Sequence, residues 1–327
     1  MIGGIMKVLF AGSPAIAVPS LLSIAERHSV VGILTNPPSA QGRGKELLPT
    51  ALAMAAREKL GDALPIIAPD RLDASAREVV ASLGADILVA FAYGKIFGPK
   101  FLSLFPKGGI NIHPSLLPRQ RGSSPIQQAI LDRDEETGVS IQRIALEMDS
   151  GDLFAVEKFA LTGAESTETL SERCAAIGAR LAAEVLDAIE QGTAVTAAQE
   201  GKPSYCRKIS KDDGLIDWNL PGTEIDARVR AFHPWPGAFT YLNKQRLNIL
   251  EALAYPAGEC PPIAEALPNA AAGTIIGMDK ARGIVVRSGE GLIALRRLQF
   301  STRKALSYKE FANGLRSLAG LRLESVP

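Results

Sequence analysis

The sequence is poor in the residues that staple or metallate a fold. Its 327 residues hold three cysteines, Cys174, Cys206 and Cys260, well separated and with no C-x-x-C pair. An odd, dispersed set argues against a disulfide framework or a structural zinc site and fits a reducing, cytoplasmic compartment. Histidine is equally scarce, at His28, His113 and His233, so a His/Cys metal centre would need nearly all of these ligands in one place, and no metal is expected. No excess of charge of one sign exists, since 36 Lys and Arg meet 35 Asp and Glu for a net +1; global charge selects neither a nucleic acid nor an acidic ligand. No run of about 18 apolar residues occurs, and the start, MIGGIMKVLFAG, lacks a charged segment followed by a long apolar one, so neither a membrane span nor an export signal is expected. Met1 to Ile5 reads as an upstream extension, with Met6-Lys7 leading into the first strand.

What is present is an ordinary globular balance, 46% apolar and 22% charged, in a chain long enough for two domains. Val8 to Ala11 is a short apolar run that ends in Gly12-Ser13-Pro14, and Ala15 to Ala25 follows with helical spacing. Strand-like runs at Val30–Leu34, Pro65–Ile67, Asp86–Phe91 and Ile110–His113 alternate with helical ones at Ala51–Glu58 and Ser75–Leu83. That alternation predicts an α/β fold with a parallel sheet covered on both faces. Asp86–Phe91 is apolar enough for a central strand, whereas Val139–Ile144, VSIQRI, alternates as a more exposed strand would. A long amphipathic helix is expected over Leu170–Gln191, then a Gly/Pro/polar crossing at Gly201–Tyr205. Beyond Lys211 the runs become short and β-like, at 238–242, 247–252, 273–276, 283–286 and 292–298, which suits a small barrel of oligonucleotide-binding (OB) type.

Charge is unevenly placed along the chain. From Lys280 to Pro327 ten basic residues face three acidic ones, a net +7, so everything before Lys280 sums to −6. A basic end on an acidic body suits contact with a phosphate backbone, and it equally suits a small domain solvated by scattered arginines.

The Gly12-Ser13-Pro14 turn stands where dinucleotide folds place a glycine-rich loop, but GSPAIA has only the first glycine of G-x-G-x-x-G. A nicotinamide enzyme is therefore disfavoured, and the absence of a G-x-x-x-x-G-K-[ST] segment argues against a triphosphatase. Asn111-Ile112-His113-Pro114 is more informative. Residues i and i+2 of a strand share a face, so an amide and an imidazole stand side by side at a strand's carboxyl end, where open α/β sheets bind ligands. Two such donors suit the oxyanion of an acyl transfer. Met148-Asp149-Ser150-Gly151-Asp152 supplies carboxylates in a turn. Asp149 near His113 would orient the ring and favour its protonated form, although both aspartates also suit plain turn positions. No Ser or Cys occupies a G-x-S-x-G elbow, so direct transfer is simpler than an acyl-enzyme.

Asn111-x-His113-x-Ser115-Leu116-Leu117-Pro118, then Arg121-Gly122, Pro125-Ile126, Glu136-Thr137-Gly138-Val139 and Asp149-x-Gly151-Asp152 resemble the 10-formyltetrahydrofolate-dependent formyltransferases. The loop Gln41-Gly42-Arg43-Gly44-Lys45, the segment Ile216-Asp217-Trp218 and the stretch Arg230 to Gly237, RAFHPWPG, narrow the resemblance to the branch that acts on initiator methionyl-tRNA. It covers roughly Met6 to Gly314. Departures are Pro114, where the family often has Gly, and Gln120, where it often has Trp.

The resemblance implies a Rossmann-like catalytic domain over 6–203 and an OB-like, tRNA-binding barrel over 204–327. It implies transfer of the formyl group of 10-formyltetrahydrofolate to the α-amine of methionine on the tRNA, with Asn111, His113 and Asp149 as the catalytic trio. Ser115, Leu116, Leu117 and Pro118 would shape the folate pocket, Asp86 to Tyr93 would line its pterin side, and Arg43 and Lys45 would contact the acceptor stem. The comparison further suggests a monomer. A sugar-nucleotide formyltransferase would share the first domain and the trio, and a non-catalytic RNA-binding protein would bind tRNA without turnover.

Overall fold

The computed structural model describes residues 5–41, 46–259, 261–301, 303–315 and 317–326. The chain forms two compact units. One comprises Met1–Pro125, Glu136–Leu161 and Leu170–Lys208, the other Ile126–Glu135, Thr162–Thr169 and Ile209–Pro327.

The first unit is built on a seven-stranded sheet of β1 (Lys7–Gly12), β2 (Ser29–Leu34), β3 (Ile66–Ile67), β4 (Ile87–Phe91), β5 (Gly109–His113), β6 (Glu136–Arg143) and β7 (Leu153–Ala160). In space the order is β7-β6-β5-β4-β1-β2-β3. The five strands β1 to β5 pair in parallel, and β6 and β7 extend the sheet antiparallel. Chain order reverses at β1, the switch point of a Rossmann-like sheet, which directs ligands to the carboxyl edge. The helices start where the sequence provides caps. Thr50 accepts from the Ala53 N–H ahead of α2 (Ala51–Leu60), Asp73 accepts from the Ala76 N–H ahead of α3 (Ala74–Ser82), and a proline opens α1 (Val18–Ala25). Each side-chain cap is worth about 1 kcal/mol.

Strand β4 is buried at every residue, as a run covered on both faces requires. Leu9, Leu88, Phe101 and Phe105 belong to the core on one side, where Tyr93, Phe97, Phe101 and Phe105 form an aromatic ladder with centroids 5.4 to 5.7 Å apart. Helix α4 (Thr167–Gln191) buries Cys174, Gly178, Leu181, Ala182 and Leu186 at helical spacing. Its Gly178 lies so close to β5 that a Cβ there would be 2.8 Å from Ile112 Cγ2. The helix therefore claims the Ile112 face of β5 and leaves Asn111 and His113 on the other.

The expectation for VSIQRI is corrected. Residues Thr137–Gln142 of β6 are all buried, because β5 and β7 flank the strand and the polar side chains that looked solvent-facing point into the site described below.

In the second unit, β8 (Ala238–Leu242), β9 (Gln245–Ala254), β10 (Ile275–Asp279), β11 (Gly283–Arg287), β12 (Leu292–Phe300) and β13 (Leu323–Glu324) form an antiparallel sheet in the order β10-β11-β12-β9-β8-β13. Backbone bonds from Ile275 to Leu321 and from Leu323 to Gly273 join its two ends, so the sheet curls into the OB-type barrel, without open edges at that seam. Register shifts near Glu251 bend β9, as bulges do where a sheet must curve. Ile216 and Trp218 are buried in the barrel core, and the indole N–H donates to Thr240 Oγ1 at 2.9 Å, the partner a buried indole needs. Helix α5 (Gly222–Ala231) and helix α6 (Tyr308–Asn313) belong to this unit, the latter opened by a reciprocal capping box between Ser307 and Glu310.

Candidate active site

In the β5/β6 register Asn111 lies opposite Gln142 and His113 opposite Ser140. Directly opposed residues share a face, so the alternations N-I-H and S-I-Q merge into one polar quartet on one face of the sheet. His113, Ser140 and Gln142 are buried, and buried polar groups require partners. The turn after β6 supplies the central one. Asp149 Oδ1 accepts from Gln142 Nε2 at 2.9 Å and from Asn111 Nδ2 at 3.4 Å, and it lies 3.6 Å from His113 Nδ1. Asp149 Oδ2 accepts the Gly122 backbone N–H at 2.8 Å. On the far side of the ring, His113 Nε2 donates to the Gln120 carbonyl at 3.0 Å. A carbonyl only accepts, so the ring carries hydrogen on Nε2, and its Nδ1 faces the Asp149 carboxylate.

Asp149 and Gln120 both have left-handed backbone, with φ of 53° and 57°. Such residues cost about 1 to 3 kcal/mol each, and they collect at functional sites. The turn is possible only with glycine behind it. A Cβ on Gly151 would fall 1.8 Å from the Arg143 carbonyl oxygen, and one on Gly122 would fall 2.2 Å from the Cys206 carbonyl oxygen.

The turn after His113 is fastened to β6. Ser115 Oγ donates to the Arg119 carbonyl at 2.7 Å, Ser140 Oγ donates to the Ser115 carbonyl at 2.7 Å, and the Leu117 N–H donates to Ser140 Oγ at 3.3 Å. Ser115 is fully buried and Leu116 packs against Gly138, so Ser115 to Pro118 form a stiff wall beside the quartet.

Asn111, His113 and Asp149 are thus brought together. Gln142 and Gln199 also belong here and were not expected. Gln142 had a signal, a polar residue alternating with apolar ones beside a strand that carries the candidate donors. Gln199 had none, because it arrives from a segment 50 residues away in sequence. Arg43 and Lys45, the expected tRNA contacts, lie outside the described residues; antiparallel strands Ser39–Gln41 and Glu46–Leu48 stand on either side of them in sequence. In the second unit, Arg282 and Arg296 of the basic end pair with Glu259 and Glu251 at 2.9 and 3.1 Å, while Arg303 and Lys309 lie over the rings of Phe300 and Tyr308. Among the described residues no group of three or more His, Cys, Asp or Glu could hold a metal ion, and no helix is long and apolar enough to cross a membrane.

Residues 6–186 match the formyl transferase family and residues 208–316 the formyl transferase C-terminal domain. The methionyl-tRNA formyltransferase of Treponema pallidum is 44% identical over 315 residues, 94% of this chain and 96% of that protein. Among solved structures, HypX from Aquifex aeolicus in complex with tetrahydrofolic acid superposes with a TM-score of 0.62 at 14% identity, covering 94% of this chain and 47% of that one. An N-formyltransferase from Helicobacter canadensis, in complex with folinic acid and dTDP-3-aminofucose, gives a TM-score of 0.62 at 19% identity over 89% of this chain and 99% of that one; at these identities the likeness is one of fold. The chain belongs to the formyl transferase family.

Proposed function

We propose that the protein transfers the formyl group of 10-formyltetrahydrofolate to the α-amine of methionine on initiator methionyl-tRNA, in the cytoplasm, through a direct tetrahedral intermediate. The observation that carries this reading is the convergence of Asn111, His113 and Asp149 at the carboxyl end of β5, in a chain related over nearly its whole length to methionyl-tRNA formyltransferases.

The donor set fits a formyl oxygen. As the amine attacks, charge grows on that oxygen, and donors from Asn111 and His113 placed around it stabilise the developing oxyanion more than the ground-state carbonyl. The His113 Nε2–H is donated to the Gln120 carbonyl, so it serves an oxyanion by exchanging that bond for one to the developing charge, while Asn111 Nδ2 has a second hydrogen beside the one it gives Asp149 Oδ1. The new bond joins the amine nitrogen to the formyl carbon, and the bond from that carbon to the folate N10 breaks. One proton must leave the amine and one must reach N10; Asp149 is the carboxylate able to hold it between the two. The rigid Ser115–Pro118 wall, with the end of β4, shapes the folate side, in keeping with the apolar character of small-molecule sites. Residues 6–203 serve as the catalytic domain. Residues 204–327 serve as the tRNA-binding barrel, assisted by Arg43 and Lys45 at the acceptor stem.

The test is direct. The purified protein is incubated with methionyl initiator tRNA and 10-formyltetrahydrofolate, and the aminoacyl group is identified by mass spectrometry, with His113→Ala and elongator methionyl-tRNA as controls. One added formyl group, absent in both controls, is the expected result. No transfer to the tRNA, with transfer to an amino-sugar nucleotide instead, overturns the acceptor assignment. In the same assay, Arg43→Ala weakens use of the tRNA and leaves folate affinity unchanged; an equal loss in both refutes the acceptor-stem role.

A further inference from the structure

We infer that Gln199 is a positioning residue for Asp149, and through it for the His113 ring; the kinetic meaning of this rests on the formyl-transfer reading above. Asp149 occupies a left-handed conformation, φ 53°, which persists only where its surroundings over-determine it. Two carbonyls of its own turn, those of Asp149 and Gly151, converge on a single side-chain amide, Gln199 Nε2, at 2.8 Å each. A primary amide has two hydrogens, so these two short bonds use both; the Gln142 Oε1 contact, at 3.4 Å, is the weaker third. The other end of the amide, Oε1, accepts from Arg121 Nε at 3.2 Å and Nη2 at 2.7 Å. Carbonyls only accept and a guanidinium only donates, so only one orientation of the amide satisfies every partner.

The connection closes a circuit. Arg121 precedes Gly122, whose N–H holds Asp149 Oδ2, while Gln142 donates to Asp149 Oδ1. Gln199 thereby ties the backbone of the Asp149 turn to the same segment that grips its carboxylate. Gln199 is placed in turn by reciprocal backbone bonds between Leu153 and Ala197, at 2.8 and 3.0 Å, which add residues near 197 to the start of β7. Neither Gln199 nor Arg121 contacts Asn111 or His113 among these bonds, so the action is through Asp149.

Two variants of the full chain test the role. Gln199→Met keeps the length and removes the hydrogen bonds; Gln199→Glu keeps an acceptor for Arg121 and removes both donors. Because displacements of the order of 1 Å at a reacting site cost up to about 100-fold, kcat is expected to fall about 10- to 100-fold in both variants, with KM for 10-formyltetrahydrofolate and for methionyl-tRNA within about threefold of wild type. Adding Gln199→Met to Asp149→Asn should cause no further loss, since the two act in one unit. The second readout is independent of turnover. The ring ¹⁵N resonances of His113, identified by their loss in His113→Ala, should move in the same direction in Gln199→Met and in Asp149→Asn. An unchanged kcat in either variant, losses that multiply in the double variant, or a His113 signal that does not follow Asp149 overturns the inference. Wild type that transfers formyl neither to methionyl-tRNA nor to an amino-sugar nucleotide overturns the formyl-transfer reading instead, and the His113 resonances then decide the role of Gln199 alone.

Discussion

Replacing Gly151 by alanine isolates the geometry of the Asp149 turn from its chemistry, because the change touches no polar side chain. The new Cβ would lie 1.8 Å from the Arg143 carbonyl oxygen and 2.8 Å from its carbon, whereas ordinary contact begins near 3.4 Å. Both obstacles are backbone, so no rotamer change relieves them, and the turn must retreat by about 1.6 Å, the difference between those distances. The bond from the Arg143 N–H to the Asp152 carbonyl, 2.8 Å, and the Gly151 carbonyl bond to Gln199 are the first to give way. Their loss together with overpacking costs about 1 to 3 kcal/mol of stability. The effect on function is larger. A retreat of that size carries Asp149 away from Gln142 and His113, and misplacement on the order of 1 Å is worth about 100-fold in rate. The assay is formyl transfer at saturating substrates, alongside thermal unfolding. Gly163→Ala is the control, since Gly163 has φ +81° with no heavy atom within 4 Å of its would-be Cβ; it should lose about 1 to 2 kcal/mol through backbone strain alone and keep its kcat. A Gly151→Ala kcat within threefold of wild type, in a folded protein, would refute the claim that the turn's position sets the site.

Three further outcomes follow from individual contacts. Asn111→Ala, which removes one donor to the oxyanion, should lower kcat by about 10² to 10³ with little change in folate binding; a loss appearing mainly in KM would place Asn111 in binding instead. The backbone N–H of Ala281, with further help from the Tyr255 hydroxyl, holds the Asp279 carboxyl below the usual aspartate range, so its stabilising effect is present above the unfolded-state value of about 3.9 and disappears as pH falls through the lower folded value. Asp279→Asn should therefore lower Tm at pH 7, with the gap from wild type narrowing as pH falls below about 3.9, and a gap that does not narrow contradicts the reasoning. Ser307→Ala breaks the capping box of α6 and should cost about 1 kcal/mol in denaturant unfolding without affecting catalysis.

Much of this architecture is legible in the chain before it folds. The alternation of β-branched and helical runs, the apolar Asp86–Phe91 strand and the later change to short β runs dictate two units of these two kinds, because hydrophobic period and turn residues act locally. Asn111 and His113 are legible for the same reason, since two residues apart on a strand means the same face. The reading failed at VSIQRI, where alternation of polar and apolar residues says that two faces differ but not which one meets water. That depends on the strands beside β6 and on the turn that returns over it, both contributed from elsewhere in the sequence.

Local pattern and spacing therefore determined the fold class, the change from an α/β to a β-rich part and the placing of Asn111 and His113 on one strand face, while the family and the role of Asp149 came from the resemblance of the motifs. Tertiary structure alone decided that Ser140 and Gln142 face inward and that the Gln120 carbonyl orients His113. It alone decided that Gly151 and Gly122 admit no side chain, and that Gln199, from 50 residues beyond, secures the Asp149 turn. These are consequences of which backbones approach one another in three dimensions, and a hydrogen-bond partner or a steric limit exists only once the distant segment has arrived.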